Sequence, residues 1–189
     1  MSQQDISLTD DVIIRSKGGT YTAAVGPILR HTGWHGGIWV KYVDPGTNVD
    51  DFVVERTDGN GAVGILPFPS EDYQHQAYGA TQNYIGDDLR TTQGAASGAG
   101  TVAIFISDGQ FLFKYYETIA LNPAGVRNAG PITYLLNENL YVSENGLLCN
   151  DPVANLQAAG IINPCNVGIC CAVPAVRNNF RLGLNLNWA

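Results

Sequence analysis

Leu140-Tyr141-Val142-Ser143-Glu144-Asn145-Gly146-Leu147-Leu148 is a short strand, an Asn-Gly turn and a second strand. Apolar residues flank a dipeptide that tolerates the backbone a hairpin turn requires. About twenty residues on, Val167-Gly168-Ile169-Cys170-Cys171-Ala172-Val173-Pro174 is another apolar strand, stopped by a proline that cannot donate to a ladder. Leu182, Leu184, Leu186 and Trp188 then alternate with Gly183, Asn185 and Asn187, the period of a half-buried strand. Upstream, residues 101–106 and 110–117 flank the turn Ser107-Asp108-Gly109 and are expected to form a hairpin. Their nearly continuous apolar residues predict burial on both faces or against a neighbour.

The first half has the same texture. Strands are expected at residues 11–15, 20–25, 38–43, 52–55 and 62–66, with turns at Asp44-Pro45-Gly46 and Asp58-Gly59-Asn60-Gly61. One helix is expected at 151–159, with Asn150 as cap, Pro152 in the first turn and Gly160 at the end. Residues 67–100 sustain no period of 2 or 3.6 and carry Tyr73, Tyr78 and Tyr84 among Gln, Gly and Asp. A long irregular segment of this kind is usually functional or mobile, and its tyrosines suit either a contact surface or anchors of a loop folded over its own core. The fold class is therefore all-β: a compact β-sandwich or barrel-like domain of short antiparallel strands with one short helix. An N-terminal arm at 1–10 precedes a single β domain at 11–189. Gly26-Pro27-Ile28 recurs as Gly130-Pro131-Ile132, and Val63-Gly64-Ile65 as Val167-Gly168-Ile169, both at an offset of 104 residues. A duplicated β unit would explain both, with lobes 11–100 and 119–189 joined by a hairpin at 101–118. Little else matches at that offset, so coincidence is the favoured account.

Charged residues make up only 14% of the 189 residues, against roughly a quarter in an ordinary soluble domain. Charge is what resists association, so a charge-poor surface suits a subunit covered by neighbours. The net charge is −7 and the lysines and arginines are scattered singly. A phosphate backbone or an anionic membrane needs clustered positive charge, so neither nucleic acid nor membrane is an expected partner. No apolar run approaches the length of a membrane span. The polar N-terminus lacks the basic-then-apolar layout of a signal peptide, which predicts synthesis in a cytosol. Cys149, Cys165, Cys170 and Cys171 are then expected to be thiols, with a Cys149–Cys165 disulfide as the minor alternative.

Residues able to do chemistry are scattered. His31 and His35 sit among glycines, where a shared helical face is not expected. Ser97 lacks the glycine that a nucleophile elbow needs two positions before it. Asp50-Asp51 and Asp87-Asp88 are adjacent pairs, which on a strand face apart. Asp58-Gly59-Asn60-Gly61 lacks the alternating ligands and terminal Glu of a calcium loop. The cysteine spacing, C-x4-C-C, is not that of a zinc site. No catalytic, cofactor-binding or metal-ligating residue is assigned, and the chain is not expected to be an enzyme. Trp34 and Trp39 flank a Gly pair and would suit a sugar-binding platform only if exposed.

The Leu140–Leu148 phrase, the Val167-Gly168-Ile169 strand and the Pro174 stop resemble those of capsid cement and decoration proteins, the head auxiliary proteins of tailed bacteriophages. The resemblance covers roughly the last 60 residues. It implies a virion structural protein without cofactor, bound to the outer surface of a phage head and bridging capsid subunits. The implied partners are the major capsid protein and other copies of the chain, with a trimer favoured. The implied location is the capsid surface, after synthesis in the host cytoplasm. Polar termini fray unless something holds them, so Ser2, Gln3, Gln4, Asp5 and Ile6 are candidate contacts, together with Tyr73, Tyr78 and Tyr84. The alternatives are another virion component, such as a tail-tube, connector or fibre-base protein, and a carbohydrate-binding β-sandwich.

Overall fold

A computed structural model of the chain describes residues 5–7, 12–15, 23–29, 36–43, 53–62, 64–65, 91–94, 100–105 and 109–186. Among the described residues the protein is all-β with one short helix. Its strands are β1 (Asp5–Ser7), β2 (Val12–Arg15), β3 (Ala23–Leu29), β4 (Trp39–Val43), β5 (Val53–Arg56), β6 (Gly64–Ile65), β7 (Thr91–Gly94) and β8 (Gly100–Phe105). They continue as β9 (Gly109–Phe113), β10 (Ile119–Leu121), β11 (Arg127–Pro131), β12 (Asn139–Val142), β13 (Leu148–Cys149), β14 (Asn166–Ala172) and β15 (Leu182–Leu186). The helix α1 spans Val153–Ala158, and a 3-10 turn spans Val176–Asn178.

Among the described residues two sheets make the body. One has seven strands in the order β1-β2-β9-β15-β14-β12-β13, all antiparallel. The other runs β3-β5-β4-β6-β8-β7, and a further β3–β8 pairing closes its first five strands into a barrel-like ring. Within the ring β3 and β5 are parallel. A separate two-stranded hairpin, β10–β11, stands apart from both sheets.

The core lies between the ring and the seven-stranded sheet. Trp39 and Ile65 come from the ring; Phe111, Phe113, Leu140, Val142, Leu148, Val167, Cys170, Leu182, Leu184 and Leu186 come from the sheet. Trp39 is fully buried and stacks on Phe113 with ring centroids 6.5 Å apart. A smaller core of Leu121, Cys149, Leu156 and Ile161 lies under the helix.

The hairpin of the opening stretch is present, with Tyr141 opposite Cys149 and Val142 opposite Leu148. Its turn is not a two-residue type I′ turn, because Asn145 does not adopt a positive φ. Gly146 alone is left-handed, at φ 68°. The Gly146 N–H donates to Ser143 O at 3.0 Å and the Ser143 N–H to Leu147 O at 2.8 Å, which is the three-residue loop with a bulge at its glycine. Leu182, Leu184 and Leu186 are buried as their alternation requires, and Trp188 lies outside the described residues. Gly183 is buried too, because an added Cβ would lie 2.6 Å from the Ala172 Cβ on β14.

Several expectations are corrected. Residues 101–106 and 110–117 do not pair as a hairpin. The strand β8 is bound to β3, β6 and β7, whereas both edges of β9 are taken by β2 and β15. The continuous apolar text of Phe111-Leu112-Phe113 marks a central strand, buried at all three positions. Residues 57–62 likewise belong to a connection across β4, since β5 and β6 lie on opposite sides of it. Because β2 belongs to the sheet built from residues 109–186, the two lobes do not separate at residue 100. The repeated tripeptides have different surroundings: Gly26-Pro27-Ile28 lies in the ring, whereas Gly130-Pro131 ends the isolated hairpin. The helix starts at Val153, and Asn150 does not cap it; its Nδ2 donates to Thr133 O and Glu138 Oε1. At its C-terminus, Gly160 N–H bonds Gln157 O and Ile161 N–H bonds Leu156 O, a Schellman ending that also packs Ile161 against Leu156.

Candidate functional site

Arg127 on β11 sits at the centre of three carboxylates. Its Nε and Nη2 donate to the two oxygens of Glu144 at 2.8 Å each, a bidentate fork. Its Nη1 donates to Asp151 Oδ2 at 2.9 Å and to Ile119 O at 2.7 Å. Glu117 Oε2 lies 3.4 Å from Nε. The side chains of Asp151 and Glu117 are only 1% and 8% exposed. Such charges persist in an interior only when paired and hydrogen-bonded. Asp151 Oδ1 accepts the Leu121 N–H at 2.8 Å, and Glu117 Oε1 accepts Ser143 Oγ at 2.6 Å and Asn145 Nδ2 at 2.9 Å. Burial alone would lower the pKa of Arg127, but the hydrogen bond and charge of Glu144, with Glu117 and Asp151 behind them, hold it above the ordinary arginine range. Burial would raise the Glu144 carboxyl, and Arg127 outweighs it and holds the group below the usual carboxylate range.

Above this cluster, the Tyr134 hydroxyl donates to Glu117 O at 2.6 Å, and burial pushes its pKa well up. The arrangement is a brace. It ties the isolated β10–β11 hairpin to the β12–β13 turn and to the entry of α1, and its buried oxygens are already occupied. Among the described residues, no group of three or more His, Cys, Asp and Glu is placed to hold a metal ion. No helix among them is long and apolar enough to cross a membrane.

A second feature lies on the surface. The loops 133–138 and 173–181 both meet the C-terminal end of β14, where Cys170 N–H bonds Glu138 O and Ala172 pairs with Gly183. They expose Leu135 (61%), Leu136 (54%), Val176 (77%) and Phe180 (60%). Tyr116 connects the two loops, packing edge-on against Tyr134 at 5.6 Å and donating its hydroxyl to Phe180 O at 2.8 Å. Large apolar side chains gathered at one end of a sheet and turned to solvent are the anatomy of a contact surface.

The residues singled out from sequence fall elsewhere. Asp5 and Ile6 lie on β1, at the edge of the seven-stranded sheet beside β2. Ser2, Gln3, Gln4, Tyr73, Tyr78 and Tyr84 lie outside the described residues, as do His31, Trp34, His35, His75 and Ser97. Trp39 is buried in the core, which removes it from any sugar platform. Asp58 pairs with Lys41 Nζ at 2.8 Å, and Asn60 joins the ring to the segment after α1 by bonding Gly160 O and Ile162 N–H. The four cysteines are free thiols; Cys149 and Cys170 are buried, and Cys165 and Cys171 are half-buried. The brace itself was not foreseen, because its acids and its arginine are single residues spread over 117–151, and only Asp151-Pro152 carried a local signal, that of a helix start. No family model matches the chain, and neither does any curated protein or solved structure.

Proposed function

We propose that the chain is a virion structural protein, a cement or decoration protein that binds the outer surface of a tailed-phage head. In this reading it bridges capsid subunits, with the major capsid protein and further copies of itself as partners. The observation that carries the proposal is the apolar end of the seven-stranded sheet, set on a chain with only 14% charged residues. Such a surface is costly for a free monomer and suits a subunit whose faces are covered. The all-β body supplies rigid strands for a role that is mechanical. Internal pressure would have to undo added burial, at about 25 cal/mol per Å² of apolar area, before subunits part. The N-terminal residues Ser2 to Ile6 and the tyrosines Tyr73, Tyr78 and Tyr84 are the proposed shell contacts beyond this end.

The test is the location and copy number of the chain in purified particles of the virus that encodes it, by quantitative mass spectrometry and electron microscopy of heads separated from tails. Recovery with heads, and loss of heat resistance when residues 1–10 are deleted, is the expected result. Recovery with tails would move the chain to a tail-tube, connector or fibre-base role, and absence from particles would overturn the reading.

A further inference from the structure

We propose that Asn60-Gly61 is a self-modification site, at which the Asn60 amide reacts with its own backbone and with water to leave aspartate or isoaspartate. Asparagine followed by glycine is the pair most prone to this loss, because glycine has no side chain to hinder ring closure. The chain has two such pairs, Asn60-Gly61 and Asn145-Gly146, and the fold treats them oppositely.

Asn145-Gly146 is sealed. The Gly146 N–H donates to Ser143 O at 3.0 Å, and the Gly146 carbonyl accepts the Trp39 N–H at 2.9 Å. The Asn145 Nδ2 donates to Glu117 Oε1 at 2.9 Å, and the Asn145 N–H donates to Ser143 Oγ at 3.1 Å. Gly146 is buried, so its nitrogen is reached only when the turn and the brace open together. Asn60-Gly61 is arranged for the reaction instead. Gly61 is exposed, and an added Cβ there would meet no atom within 4 Å. Asn60 pairs with Pro164 in an isolated bridge outside the strands, so this peptide opens locally without disturbing a sheet. The Asn60 Oδ1 accepts the Ile162 N–H at 2.8 Å, whereas Nδ2 holds only a 3.3 Å bond to Gly160 O.

The Gly61 nitrogen gives its proton to solvent, and its electron pair forms a bond to Asn60 Cγ. The charge that develops falls on Oδ1, where the Ile162 N–H is already aimed as an oxyanion donor. The Cγ–Nδ2 bond then breaks, and Nδ2 takes a proton from water and leaves as ammonia. Water opens the five-membered succinimide that remains. Attack at Cγ gives aspartate, and attack at the main-chain carbonyl gives isoaspartate, whose backbone is one atom longer. Neither product keeps the clasp between the ring and the segment after α1. Aspartate still accepts from the Ile162 N–H, but its second oxygen faces Gly160 O with no proton between them. Conversion therefore loosens that junction as the molecule ages, wherever in a particle the chain resides.

The experiment holds the purified full chain in mildly alkaline buffer and follows both peptides by mass spectrometry with isoaspartate resolved. A parallel sample is held in urea. In the folded chain Asn60 is expected to convert faster than Asn145 by about tenfold or more. In urea the two should convert at like rates, which assigns the difference to the fold. Asn60→Asp, which installs one product directly, should melt at a lower temperature than wild type. Equal rates in the folded chain, or a faster Asn145, would overturn the site. The same preference for Asn60 in urea would overturn the role of the fold, and an Asn60→Asp chain that melts like wild type would overturn the loosening.

Discussion

Arg127→Met is the perturbation that tests the brace. Methionine keeps much of the stem and removes the charge, leaving Asp151 and Glu117, at 1% and 8% exposure, without their counter-ion. Removing one partner from a buried ion pair costs about 3–5 kcal/mol, because the charge left behind is uncompensated. Glu144 is 29% exposed and contributes less, since water screens it. With a urea dependence of about 1–3 kcal/mol per molar, the midpoint should fall by about 2 M. The exposed Lys41–Asp58 pair is the control, and Lys41→Met should cost less than about 1 kcal/mol. The pH dependence follows from Glu144. Its carboxyl is held below its ordinary value in the fold, so its contribution is fully present above about pH 4.3 and is lost as the pH falls through the folded value. The gap between wild type and Arg127→Met should therefore narrow below about pH 4. A variant within about 1 kcal/mol of wild type near neutrality, or a gap that does not change on acidification, would refute the reasoning.

Three further outcomes are expected. Gly168→Ala places a Cβ 2.1 Å from Asn185 O at a φ of 145°, and should cost more than about 2 kcal/mol in a thermal or urea melt as β14 and β15 are forced apart. Leu184→Ala, fully buried between the sheets, should cost about 2–5 kcal/mol, whereas Ile162→Ala, 74% exposed, should stay within about 0.5 kcal/mol. In the folded chain an aromatic disulfide reagent should titrate the half-buried Cys165 and Cys171 first. Cys149 and Cys170 should react only on unfolding, since burial chiefly raises both thiols, that of Cys170 to about 11.

What the sequence made legible was local. The Leu140–Leu148 hairpin, the Leu182–Leu186 alternation and the short helix follow from turn chemistry and period, and each is present. Pairing partners were not legible. The strands β8 and β9 flank a strong turn signal, yet each finds its neighbours in a different sheet, because ladder partners are set by burial across the whole chain. The hairpin β10–β11 was missed because Arg127-Asn128-Ala129-Gly130-Pro131 has neither apolar alternation nor β-branched residues. It is held from outside, by Asp151 and Glu144 accepting from Arg127 and by Asn155 Nδ2 donating to Leu121 O. The exposed end was unreadable for a related reason. Leu135, Leu136, Val176 and Phe180 look in sequence like core residues, and only the path of their loops turns them outward.

The position of β2 has a consequence for how the chain is made. Residues 12–15 pair with residues 110–113 of β9, and β9 pairs in turn with residues 182–186. A nascent chain can pair β1 with β2 at once, but β2 waits for its second neighbour until residues 110–113 are made. The central strand β9 gains its second partner only when residues 182–186 have emerged. Closure of the seven-stranded sheet is therefore a late, long-range event, in the slow regime of topologies dominated by distant pairings. Until then the edges of β2 and β9 are open to other chains, and the length of that interval sets the window in which newly made protein aggregates.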